Sequence, residues 1–226
     1  MPILHLNGTV SAVFSLLTIT ALILSFVMLA SHWIKNHILA FAIQSWVIAV
    51  LSAFIGIAGH FPELIAIAIL TALLRGTVLP YLLIKILDQA HLGREFAPLI
   101  QSSTSMVLGA LLVLLAYGMA LHLAPSGSVP DPTIWMALTT LFAITLIGFL
   151  MLVLRTEALS HLLGLLVIEN GIFLGSQILM PGMPLLLELV ILFDLLIIVV
   201  TFGILVRYLK TEVGSTDSRA LRRLVG

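Results

Sequence analysis

The chain contains no cysteine. Disulfides are therefore excluded, as are thiolate ligands for an iron–sulfur cluster or a Cys-bound metal. Charge is also scarce. Only 9% of the 226 residues are Asp, Glu, Lys or Arg, where a soluble domain carries about 25%. Ten basic residues balance ten acidic ones, which leaves no basic face for nucleic acid. The first thirty residues hold no Lys or Arg, so the charged start of a secretory signal is missing. No small-residue cleavage site follows the apolar run from Val10 to Ala30, and that run is expected to remain as a first membrane span.

What the chain does have is apolar length. It is 61% hydrophobic, with a mean hydropathy of +1.25. A membrane-crossing helix needs about 20 such residues. Seven runs qualify: 9–30, 38–58, 64–87, 98–121, 133–154, 158–179 and 185–207. The breaks carry turn chemistry, as in Gly-His-Phe-Pro-Glu (59–63) and Pro-Gly-Met-Pro (181–184). Backbone polar groups must be satisfied within the segment in lipid, so the expected fold is an all-α integral membrane bundle of seven transmembrane helices.

Basic residues set its direction. With seven spans, Lys35, Lys85, Arg94, Arg155, Arg207, Lys210, Arg219, Arg222 and Arg223 all fall on one side, and the opposite loops contain none. This places the N-terminus outside and the C-terminus in the cytoplasm; six or eight spans would scatter these charges. The tail after Lys210 reads either as a short amphipathic helix starting at Ser215–Ser218 or as a solvated basic segment near anionic lipid.

A weak internal repeat accompanies this pattern. A shift of 125 residues lays Ile43 on Ile168, Gln44 on Glu169, Glu63 on Glu188, Leu64 on Leu189 and Lys85 on Lys210. Spans one to three then match spans five to seven in the same orientation, as a parallel repeat. The expected organisation is a three-helix unit (1–97), a connecting helix with its outer loop (98–132), a second three-helix unit (133–210) and a cytoplasmic tail (211–226).

The tenth basic residue, Arg75, lies inside the third span. Glu169 and Asp194 lie inside the sixth and seventh. A charge at the centre of a membrane helix costs roughly 2.5–3.5 kcal/mol on insertion scales. Such groups are kept because they pair, carry protons or bind ions. Burial favours a neutral carboxyl and a nearby cation favours the carboxylate; a group held between the two picks up and releases protons. Arg75 stays protonated, so it anchors or tunes. Pro80, five residues on, removes a helix bond and is expected to kink the third span. Gly164, Gly171 and Gly175 share one helix face suited to close packing, and Glu169 points away from it, with Asn170 beside it as donor and acceptor. His161 and Glu157 lie on the same helix nearer its start and could extend a ladder from Glu169 towards the cytoplasm, although 161 to 169 is about 12 Å along the axis. Glu188 lies near the outer end of the seventh span. Each of these groups has a purely structural reading, as a buried ion pair or a hydrogen-bonded side chain. Haem ligation is disfavoured, because no second histidine sits at a suitable depth.

Taken in order, Arg75-x4-Pro80, Glu-Asn-Gly (169–171), Glu188-x5-Asp194 and a tail with Asp217, Leu221 and Leu-Val-Gly (224–226) resemble hydrogenase-4 component E over essentially the whole chain. The last three spans of that family are similar to the K subunit of respiratory complex I and the C subunit of multisubunit sodium/proton antiporters. Those subunits carry one carboxylate in each of two adjacent helices, and Glu169 and Asp194 are the matching positions. The match has an offset: the first Glu of the complex I subunit follows a Gly-Leu pair directly, whereas Glu169 comes a turn after Gly164-Leu165.

The resemblance implies a non-catalytic membrane subunit of a group 4 nickel–iron hydrogenase, a formate hydrogenlyase or a related complex I-like assembly, in a bacterial or archaeal cytoplasmic membrane. It implies antiporter-like membrane partners, with nickel–iron and iron–sulfur centres in other subunits and no cofactor or metal in this chain. Glu169 and Asp194 are then expected as protonatable relay sites and Arg75 as the fixed cation. Glu188 would give an outer-side contact, and Glu157 with His161 a cytoplasmic access. A stand-alone cation/proton carrier and a non-conducting scaffold are the alternatives.

Overall fold

The computed structural model describes residues 8–90, 100–123, 132–155 and 158–179, together with Leu196, Val200 and Gly203. These residues form helices α1 (Gly8–Ala30), α2 (Ile34–Ala58), α3 (Pro62–Leu73), a π-helical turn (Leu74–Val78), α4 (Leu79–Ala90), α5 (Ser102–Leu123), α6 (Pro132–Leu154) and α7 (Ala158–Leu179). No strand occurs among the described residues. With α3, the π turn and α4 counted as one span, six helices are long and apolar enough to cross a membrane, the build of a multi-pass membrane protein. Their limits follow the first six apolar runs closely. The expected seventh span and the tail lie outside the described residues, apart from Leu196, Val200 and Gly203. Those three are helical, and Gly203 sits beside Ile86 of α4.

Adjacent helices form antiparallel hairpins. Gln44 of α2 reaches Ala21 of α1, and Gly56 of α2 meets Leu64 and Ile65 of α3. The α2–α3 turn is tight enough to hold His60 at a φ of 57°. In the α6–α7 hairpin, a Cβ added at Gly148 would lie 2.9 Å from the Gly164 carbonyl oxygen, and one added at Gly171 would lie 2.9 Å from the Thr145 nitrogen. The two backbones are therefore in contact, as the glycine spacing predicts, and dispersion between them replaces a driving force that lipid cannot supply. Across the hairpins, Ser11 bonds Thr133 at 3.0 Å and Arg155 reaches Leu29, so α1 and α6 run side by side in the same direction. It follows that α2 and α7 are parallel too.

One basic residue of the sequence pattern turns out to be internal. Arg155, just past α6, is 4% exposed. Its Nη2 donates to the carbonyl oxygens of Leu29 at 3.2 Å and Ser31 at 3.0 Å. His37 Nε2 donates to the same Ser31 carbonyl at 3.0 Å. Terminal helix carbonyls have no intrahelical donor, and a cation there also meets the negative end of the helix dipole. Arg155 thus ties the end of α6 to the end of α1. Lys35, by contrast, pairs with Asp88 at 3.0 Å on the surface, with both side chains about half exposed.

At the proline of the third span the structure shows a π turn. Leu79 N–H bonds Leu74 O, five residues back, and the Thr77 hydroxyl donates to Ala72 O at 3.0 Å. Pro80 has no N–H to offer. The backbone accommodates this by widening one turn ahead of the proline, and Arg75 lies in the widened turn.

Two outcomes follow. Gly171→Ala should lower the melting temperature of the detergent-solubilised protein by the equivalent of about 1–3 kcal/mol, because overpacking forces backbones apart; Gly118→Ala, where an added Cβ meets nothing within 4 Å, should leave it unchanged. Arg155→Ala should cost about 1.5–3 kcal/mol, the range for hydrogen bonds to a buried charged group, while Lys35→Ala should cost under about 1 kcal/mol; equal melting curves for the two variants would contradict this assignment.

Candidate functional site

Arg75 is 1% exposed, and its guanidinium points into the bundle towards α7. Nη2 lies 3.3 Å from Glu169 Oε2, with the Glu169 side chain 14% exposed. Nη1 donates to Asn170 Oδ1 at 3.0 Å. The Phe173 ring, one turn on, faces the guanidinium carbon at 5.7 Å, within cation–π range. On the other side of the π turn, the Trp46 indole lies against Gly76, where any side chain would meet it. Phe173 therefore covers one side of the cation, and Trp46 packs on the turn that carries it.

The polar contacts continue away from the ion pair. Asn170 Nδ2 donates to Gln44 Oε1 at 3.0 Å and to Ser45 Oγ at 3.5 Å. Gln44 Nε2 donates to Ser25 Oγ at 2.7 Å and to Ala21 O at 2.9 Å. Ser25, Gln44, Ser45 and Asn170 are all fully buried. A ladder of side chains therefore runs sideways through the bundle, from Glu169 through Arg75, Asn170 and Gln44 to the backbone of α1.

Its direction is fixed by its ends. A carbonyl oxygen only accepts and a guanidinium only donates. Ala21 O thus turns the Gln44 NH2 towards α1, which turns Gln44 Oε1 towards Asn170 Nδ2 and Asn170 Oδ1 towards Arg75. Flipping either amide would set donor against donor or acceptor against acceptor. The amides and the guanidinium do not exchange charge near neutral pH, so within this ladder Glu169 alone can take up or release a proton.

Of the residues singled out from sequence, Arg75 and Glu169 meet. His161 is on the exposed face of α7, two turns before Glu169. Glu157, Glu188 and Asp194 lie outside the described residues. Ser25 and Ser45 were not anticipated; their signal was a polar residue in mid-span, weak because serine also packs in membrane helices. Among the described residues, no cluster of three His, Asp or Glu side chains could hold a metal ion.

Comparison with known proteins gives one relative of useful length. The uncharacterized protein Rv0085 of Mycobacterium tuberculosis (strain ATCC 25618 / H37Rv) is 32% identical over 173 residues, 75% of this chain and 76% of its own length. The chain belongs to the Rv0085 family. No protein-family model matches the chain, and no solved structure matches it.

The ion pair makes an energetic prediction. Removing one partner of a buried pair leaves an uncompensated charge, at about 3–5 kcal/mol, whereas replacing both by apolar residues is often neutral. Arg75→Met should therefore destabilise the chain strongly, and Arg75→Met combined with Glu169→Met should recover most of the loss. Additive losses in thermal unfolding would show that the two side chains are not coupled.

Proposed function

We propose that this chain is a coupling subunit in the membrane arm of a group 4 nickel–iron hydrogenase, formate hydrogenlyase or related complex I-like assembly. In this reading it contributes to proton or sodium movement driven by redox chemistry in partner subunits. The observation that carries the reading is the buried Arg75–Glu169 pair, set in a π turn in the middle of a span. The turn accommodates Pro80 and at the same time carries the cation at mid-span; π turns recur at functional sites. Glu169 is the protonatable group and Arg75 its fixed counter-charge. Asp194 is the second carboxylate of the relay, Glu188 its outer-side contact, and Glu157 with His161 the cytoplasmic access. The nickel–iron and iron–sulfur centres belong to partners, among them antiporter-like membrane subunits.

The same reading has seven spans in a bacterial or archaeal cytoplasmic membrane, with the C-terminus inside, and two parallel three-helix units. Contacts between the halves support the repeat. Those of α1 with α6 and of α2 with α7 join residues 122, 124, 125 and 126 apart, close to the offset that aligns Gln44 with Glu169, while the Arg75 contacts to α7 span 94 and 95.

The test is Glu169→Gln, which keeps the shape and removes the titratable charge. In inverted vesicles from the native membrane, the variant should lose at least tenfold of the redox-driven ion gradient while the chain accumulates to its normal level. A wild-type gradient would reject the relay and leave a scaffold. Affinity purification of the tagged chain should bring down hydrogenase and antiporter-like subunits. Recovery as a lone oligomer that moves ions in liposomes would instead establish a stand-alone carrier.

A further inference from the structure

Gln177 is fully buried in α7, yet neither its Nε2 nor its Oε1 has a hydrogen-bond partner among the described residues. Buried polar groups in folded proteins are met by protein or by ordered water. No group among the described residues meets this amide, so its surroundings bear on what does.

Gln177 lies seven residues beyond Asn170, nearly two full helical turns, so it occupies the same face of α7 about 10 Å further on. That face is turned to α2 and α3, since Asn170 bonds Ser45 and Arg75 there. Ser52 stands in the same relation to Ser45 on α2, and Thr71 lies one turn before Arg75 on α3. The register brings these three to one level. α2 and α7 are parallel, so seven residues from the Ser45–Asn170 contact lead to Ser52 and Gln177. α2 and α3 are antiparallel, with Trp46 against Gly76 and Gly56 against Leu64 and Ile65, which sets Ser52 opposite Ile69 and Leu70, a residue short of Thr71. Ser52, Thr71 and Gln177 are all fully buried. A second polar layer thus stands above the first, on the same three helix faces.

We propose that Ser52, Thr71 and Gln177 line a narrow water-holding passage that continues from the Arg75–Glu169 site towards the α2–α3 turn. Its role in proton movement rests on the reading of Glu169 as a relay group; its existence does not. Ser52 Oγ donates to Ile48 O at 2.9 Å, which leaves its lone pairs for a water. Gln177 offers two N–H groups and an acceptor. Water between these side chains links Glu169 to the turn by a route that the amide ladder does not provide, because the Asn170 and Gln44 NH2 groups are already committed to protein acceptors. The passage also avoids the glycine seam, where the α6 and α7 backbones touch and leave no room.

The experiment uses the full chain, 15N-labelled at glutamine, in lipid nanodiscs. Magnetisation transfer from water should reach the Gln177 side-chain amide, assigned by its loss in Gln177→Leu, and should be absent at Gln44, whose amide is bonded to protein. No transfer at Gln177 overturns the proposal. In Gln177→Leu, hydrogen–deuterium exchange at the Glu169 carboxyl, followed in the infrared and assigned with Glu169→Gln, should slow at least tenfold. An unchanged rate overturns the passage. A Glu169 that shows no protonated form at any pH removes the relay reading instead, and the water measurement still decides the passage.

Discussion

A guanidinium buried in a membrane bundle dictates what its neighbours can be. It carries five N–H donors, accepts nothing and does not give up its proton. Once Arg75 is inside, groups within reach must be acceptors or π faces, and the structure supplies a carboxylate, an amide oxygen and the Phe173 ring. The demand propagates. Asn170 must turn its oxygen to Arg75, so its nitrogen needs an acceptor, which Gln44 gives. Gln44 in turn sends its own nitrogen to α1. Four spans are oriented by one cation, and the chain of consequences stops only at a main-chain carbonyl.

The backbone of the third span is part of the same solution. Pro80 deprives the helix of one donor, and a straight α-helix would leave a carbonyl bare where no water is plentiful. Widening the turn at 74–78 restores the bonding with a five-residue register. It also changes the angle at which Arg75 leaves the helix relative to residues before it. Gly76 lets Trp46 close the other side. The proline, the arginine and the glycine lie within six residues because each answers a need created by the others.

This explains what was legible in the sequence. Span limits are a matter of apolar length, and α1 to α7 follow the runs because hydropathy alone sets them. The glycine spacing gave the α6–α7 seam for the same local reason. Arg75 and Glu169 stood out as expensive charges. The partner choice between them was not readable, since it depends on which helices become neighbours, and Asp194 was an equally reasonable partner by depth. The π turn was foreshadowed only as a break near Pro80. Arg155 was counted as a loop charge, because its burial depends on the end of α1, more than a hundred residues away, lying next to it. Gln177 was passed over: its isolation is visible only when the faces of α2 and α3 are in place.

If the proposed repeat holds, it gives the asymmetry of the site a meaning. In the proposed repeat Gln44 occupies the register of Glu169, and it bonds Asn170, the residue next to Glu169. A carboxylate at both positions would place two like charges around one arginine, and such pairs resist double ionisation. With an amide at position 44, the first half becomes a fixed hydrogen-bond support and the second keeps the titratable group. The amide also seals the ladder, since neither Gln44 nor Asn170 can pass a proton on to α1. In the proposed relay, a proton on Glu169 therefore cannot leave along the amide ladder to α1. Its exchange then runs along the polar face that α7 shares with α2 and α3, or, in the proposed relay, towards Asp194.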